Sequence, residues 1–180
     1  MDTVAQAIDF CGGALDDLRP FPSSARRAAG YELDKVQNGR DPSDWKPMNT
    51  VGAGVAALFS EEIAVDQQNR SGTCRQTVSR FTEGIGSMST DSFSSVWDAI
   101  EDTPAEAENM KLRSALMMAL EEHIRSQGWT QAEPARRLSV TQPRVSDLLR
   151  GKIHLFGLDM LVNMVVAAGL HVEMHVAKAA

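Results

Sequence analysis

The pattern of apolar and polar positions changes character twice along this chain. From Ala25 to Gln37, small and apolar residues recur at helical spacing behind Ser23 and Ser24. Either serine can cap a helix there, and Asn38-Gly39 stops it. A loop containing Pro and Trp follows, "DPSDWKPM". From about Ala56 to Ser87 the periodicity fades into small polar residues without caps. That stretch predicts a linker or poorly ordered segment with one helical turn near Phe59 to Val65.

The pattern sharpens again after Met88. A short helix is predicted over Ser92 to Ile100, ended near Pro104. A long one follows from about Asn109 to Gln127, with Leu112, Leu116, Met117, Leu120 and Ile124 at helical spacing and Gly128 as its stop. Thr130 caps Gln131 to Leu138, and Thr141 caps Gln142 to Arg150 with Gly151 as the stop. Another helix runs from Leu158 to Ala168 and ends at Gly169. Strict alternation in "LHVEMHV", Leu170 to Val176, predicts a strand. There is no internal repeat.

Composition narrows the class. The 180 residues, 43% apolar, suffice for one or two domains with a core. Eighteen basic residues face 24 acidic ones, for a net charge of −6, which argues against indiscriminate nucleic-acid binding. The distribution is uneven. Met88 to Glu108 holds six acids and no Lys or Arg, whereas Gly128 to Phe156 holds five basic residues against two acids. Cys11 and Cys74 have neither metal-ligand spacing nor a disulfide framework, so a cytoplasmic setting is expected, with no cofactor. No apolar run approaches a membrane span.

The two short helices around Ser139, Val140 and Thr141 have helix-turn-helix spacing. Ala132, Ala135 and Leu138 would bury one face of the first. Val145, Leu148 and Leu149 would bury one face of the second, with Val140 in the corner. That leaves Gln142, Arg144, Ser146, Asp147 and Arg150 outside, a polar face about as wide as a major groove admits. On these residues "WTQAEPARRLSVTQPRVSDLLRGK" resembles the Cro/repressor (XRE) class. With "HLFGLDMLVNMVVAAGLHVEMHV" behind it, the resemblance narrows to HigA-type antitoxins and covers Asn109 to Val176. It departs at Pro134, where the family has a small helix former.

That resemblance implies a five-helix, lambda-repressor-like domain acting as a dimer on a palindromic operator in double-stranded DNA. By it, Gln131 would contact phosphate, and Gln142 would reach a base edge, adenine above all. Arg144 and Ser146 come next for base or phosphate contact, with Thr141 at the head of the helix. Arg150 and Lys152 would hold the backbone, as would Arg136 or Arg137. Leu170, Val172, Met174 and Val176 share one face of the final strand, and because a lone strand is not stable they would pair with a second copy. His171 and His175 lie ~13 Å apart on a strand, too far for one metal ion.

"DDLRPFPSSARRAAGYELDKVQNGRDPSDWKPMNTVGAGV" resembles the start of HigB-type toxins of the Gp49-like branch of the RelE/ParE group, which are ribonucleases. The resemblance stops after Val55, where that family continues into a basic strand. Codons can be chosen for Ala56 to Gln68 whose neighbouring frame spells such a toxin's closing strand, which points to a frameshifted tail. Without the toxin sheet, Leu18, Phe21, Tyr31, Leu33 and Val36 would be partly exposed or would pack on the antitoxin portion. Nucleophile, base and oxyanion donors cannot be assembled from the fragment.

The expectation is therefore a mainly α protein. Residues 1–55 form a helical toxin remnant, 56–87 a linker, and 88–180 a HigA-like domain with its core at about 109–169. The expected function is a non-enzymatic, sequence-specific regulator that represses its own operon. The alternatives are a toxin-binding module without DNA binding and a toxin-type ribonuclease.

Overall fold

The computed structural model describes residues 7–43, 45–47, 56–58, 90–130 and 132–176. The expected turn near Phe59 to Val65 and most of the expected linker lie outside them. The chain divides into two compact units, Met1–Glu108 and Asn109–Ala180. That boundary falls inside a helix, Pro104–Ser126.

In the first unit, β1 (Ile8–Cys11) pairs antiparallel with β4 (Thr90–Phe93), in register Ile8↔Phe93 to Cys11↔Thr90. Phe10 and Phe93, diagonal neighbours on this ladder, meet edge to face at 6.1 Å. Between these strands come α1 (Ala14–Leu18) and α2 (Ser23–Gln37), and after them α3 (Val96–Ile100). Pro22, not Ser23 or Ser24, occupies the N-cap of α2 and its carbonyl accepts the Arg26 N–H at 2.9 Å. Gly39 ends the helix in the left-handed region (φ 68°). Its N–H and that of Arg40 close back on Val36 and Lys35, a geometry that excludes most side chains.

Two expectations for this unit are corrected. The segment expected to be a helix from Ser92 is extended at Thr90–Phe93 and helical only from Val96. Within the expected loop, Trp45–Pro47 (β2) pairs antiparallel with Ala56–Leu58 (β3). Tyr31 is wholly buried and Leu18, Phe21 and Leu33 partly so, while Val36 stays half exposed.

α4 (Pro104–Ser126) begins at the proline that was expected to end the preceding helix. Proline suits a first helical position because its missing N–H would have no partner there. Thr103 completes the start: its hydroxyl accepts the Glu106 N–H at 3.2 Å and donates to the Glu106 carboxylate at 2.8 Å. In the second unit the helix continues as a core element. Met110, Met117, Leu120 and Ile124 are buried, but Leu112 is exposed.

The rest of that unit consists of α5 (Ala132–Arg137), α6 (Gln142–Leu149), a 3-10 turn at Ile153–Leu155 and α7 (Leu158–Ala167). Leu138, Leu148, Ile153, Phe156, Leu161 and Met164 are buried in its core. Residues 170–176 pair with no strand of their own chain among the described residues. A strand needs a neighbouring ladder for its N–H and C=O groups, so alternation alone does not make one. Leu170 and Val172 are half buried, Met174 and Val176 exposed.

Candidate nucleic-acid interface

The candidate site grows from the turn between α5 and α6. Its first helix is shorter than the spacing predicts, Ala132–Arg137, so Pro134 falls in the first turn. The Thr130 carbonyl, which an N–H at position 134 would have used, accepts from Glu133 instead at 3.0 Å. Pro134 is buried together with Ala135, while Ala132, expected in the core, is exposed. The proline thus takes the packing place expected of Ala132, at no loss of a helical hydrogen bond.

Ser139 then turns the chain with φ 55°, the one non-glycine residue with positive φ among those described. The Val140 N–H closes on the Ala135 carbonyl at 3.0 Å, and Val140 is half buried in the corner. Thr141 follows in extended conformation at the N-cap of α6, with no side-chain capping bond. At the other end, Gly151 (φ 71°) lets its own N–H and that of Lys152 return to Leu148 and Asp147. The two short helices are therefore pinned at the corner and at the exit.

The second helix has two sharply different faces. Val145 and Leu148 are buried and Leu149 half buried, as their spacing predicts. Gln142, Pro143, Ser146 and Arg150 are exposed. Arg144 is half buried, its guanidinium carbon 5.2 Å from the centroid of the Phe156 ring. Lys152 lies 3.5 Å from the Asp147 carboxylate, each side chain about a quarter exposed. A carboxylate thus sits beside one of the expected backbone-holding cations.

On the first helix, Arg136 is exposed. Arg137 is held elsewhere: it stacks 4.8 Å from the Trp129 ring and lies 3.8 Å from Glu133. Trp129 also meets His123 edge to face at 5.2 Å. The sequence reading had not singled out Trp129, although an aromatic just before the cap of a helix with two arginines was a usable signal. Gln131 lies outside the described residues. The structure thus brings Thr141, Gln142, Arg144, Ser146, Arg150 and Lys152 to one helix and its exit, with Arg136 on the helix before.

Among the described residues, no helix is long and apolar enough to cross a membrane, and no group of three or more His, Cys, Asp or Glu could hold a metal ion. No curated protein matches the chain. Residues 99–177 match the model of a family described as a helix-turn-helix domain, and that match, with the pinned pair of helices at 132–149, makes the C-terminal part of this chain a helix-turn-helix domain.

Proposed function

We propose that the chain is a sequence-specific DNA-binding regulator of the HigA antitoxin type, which binds a palindromic operator as a dimer and represses its own toxin–antitoxin operon. The observation that carries this reading is the polar face of α6. Gln142, Ser146 and Arg150 stand exposed over a buried Val145–Leu148 face, on a helix fixed at both ends. Such a helix fits a major groove, and the amide of Gln142 offers a donor and an acceptor to adenine. Arg144, stacked on Phe156, reaches base or phosphate with few rotamers to lose. Arg136, Arg150 and Lys152 meet phosphates, as does Gln131, and Thr141 opens the helix towards the backbone.

Leu170, Val172, Met174 and Val176 supply the dimer contact. Their alternation, and the lack of a ladder partner for residues 170–176 among the described residues, favour pairing with a second copy. Binding of the purified chain to its own upstream DNA, with Gln142→Ala and Arg144→Ala alongside, tests the proposal. Equal affinity of all three proteins for that DNA and for a shuffled duplex would refute it.

A second reading, a toxin-binding module, is favoured by a different observation. Arg26 and Arg27 of the toxin-like fragment pair with Asp102, Glu101 and Glu106 of the acidic lead-in. These are partners of the kind an antitoxin offers a toxin, and the two activities are compatible in one chain.

A further inference from the structure

Pro143 stands exposed on α6, the one exposed apolar side chain of that helix. Its place is central. Ser146 and Asp147 follow it at i+3 and i+4, and Arg150 at i+7, so the four share one face. The buried Val145 and Leu148 lie on the far side. Gln142, the proposed reader of adenine, is its neighbour in the chain.

The chemistry of proline limits what it does there. Its ring carries no donor or acceptor, and its backbone nitrogen carries no hydrogen. In the first turn this costs the helix nothing, since an N–H there has no partner within the helix. It does withhold from an approaching phosphate one of the free N–H groups that open a helix. What Pro143 presents is a rigid apolar ring, with no rotamers to lose on contact. In the major groove the apolar feature that distinguishes bases is the C5 methyl of thymine. Neighbouring Cα atoms are about 3.8 Å apart, close to the base step along a strand of about 3.4 Å. A residue beside Gln142 therefore meets the same base pair or the one adjoining it.

We infer that Pro143 is a specificity-determining residue whose ring packs on a thymine C5 methyl within one base pair of the adenine read by Gln142. The inference rests on the proposed DNA-binding function and adds to it a base contact made without a hydrogen bond. Gln142 then selects by donor and acceptor, and Pro143 by shape.

The test uses the full chain and its upstream DNA, with each thymine of the bound site replaced in turn by deoxyuridine. That change removes the methyl and leaves base pairing, the hydrogen-bonding edges and the phosphate charges as they are. Affinity is expected to fall roughly fourfold at one thymine of each half-site, the worth of one buried methyl-sized group. At the same position 5-methylcytosine, paired with guanine, should bind better than cytosine by a similar factor, which separates the methyl from the polar edge. Pro143→Ser removes the ring and should abolish the deoxyuridine penalty while keeping the preference for the upstream DNA. Indifference to every thymine methyl overturns the inference. So does a penalty that Pro143→Ser leaves intact, which would mean that the proline only starts the helix. Should that variant not fold, the position of the sensitive thymine decides. A thymine more than one base pair from the adenine to which Gln142→Ala becomes indifferent overturns the inference as well. All these failures leave the wild type preferring its upstream DNA to a shuffled duplex. Absence of that preference refutes the regulator reading instead, so the two are distinguishable.

Discussion

Arg144 of α6 stacks 5.2 Å from the centroid of Phe156, a residue that is itself wholly buried. One ring thus serves the core with one surface and positions an arginine with another. Phe156→Leu keeps an apolar residue in the core but removes the flat surface. It is expected to keep the domain folded by circular dichroism and to weaken binding to the upstream DNA by less than Arg144→Ala does. For Arg144→Ala a loss of about 1–3 kcal/mol is expected if it reads a base. A Phe156→Leu protein that stays folded and binds like the wild type would show that the ring does not aim the arginine.

Asp147 and Lys152 form an ion pair of 3.5 Å beside the same face. Asp147→Asn frees the ammonium and removes a carboxylate from the approaching phosphates. Affinity for any duplex should rise, and the log–log salt slope should steepen by about one unit as one more phosphate is neutralised. Titrations at several salt concentrations read this directly. An unchanged slope would place Lys152 away from the DNA backbone.

Ser139 holds a positive φ between the two helices. An L side chain there costs roughly 1–2 kcal/mol, of which glycine regains part after its own entropic cost of roughly 0.5–1. Ser139→Gly is expected to raise the melting temperature of the domain by a few degrees. Ser139→Val should lower it, since a branched Cβ fits that region worst. Thermal unfolding followed at 222 nm checks both signs.

Gly30 of α2 faces α3 so closely that an added Cβ would stand 2.9 Å from the Trp97 ring. Gly30→Ala is expected to destabilise the first unit by about 1–3 kcal/mol through overpacking against Trp97 and Ile100. Hydrogen exchange should show faster exchange at residues 23–37 and 96–100, with α5 and α6 unaffected. Unchanged protection in α2 would mean that the helices part there freely.

The helix-turn-helix was legible because its determinants are local. Thr141 sits in extended conformation ahead of α6, Gly151 is in the left-handed region after it, and Val145 and Leu148 lie three apart between them. The first unit was not. Ile8 finds its ladder partner in Phe93, and Arg27 finds Glu101, across stretches of chain that no periodicity spans. Pro104 was misread as a stop because proline also starts helices, and here Thr103 and Glu106 decide between the two. A serine in the turn carries no signal of positive φ. Pro134 looked like an intrusion until the helix proved to start at Ala132.

The proposed pairing through residues 170–176 has a direct consequence. Val172→Asp with Met174→Asp places like charges opposite one another in an antiparallel pair of copies. Sedimentation should then show a monomer in place of a dimer, and affinity for a palindromic site should fall much further than affinity for a half-site. A variant that still sediments as a dimer would move the contact elsewhere.

In the proposed function α6 reads sequence. The most direct measurement is fluorescence anisotropy of the full chain on its own upstream DNA and on a shuffled duplex, at two salt concentrations, for wild type and Gln142→Ala. We expect the wild type to prefer the upstream DNA at both salts. Gln142→Ala should lose that preference while keeping its affinity for the shuffled duplex and its salt slope, because base contacts specify and phosphate contacts do not. A wild type without preference, or a variant that keeps it, would contradict the claim.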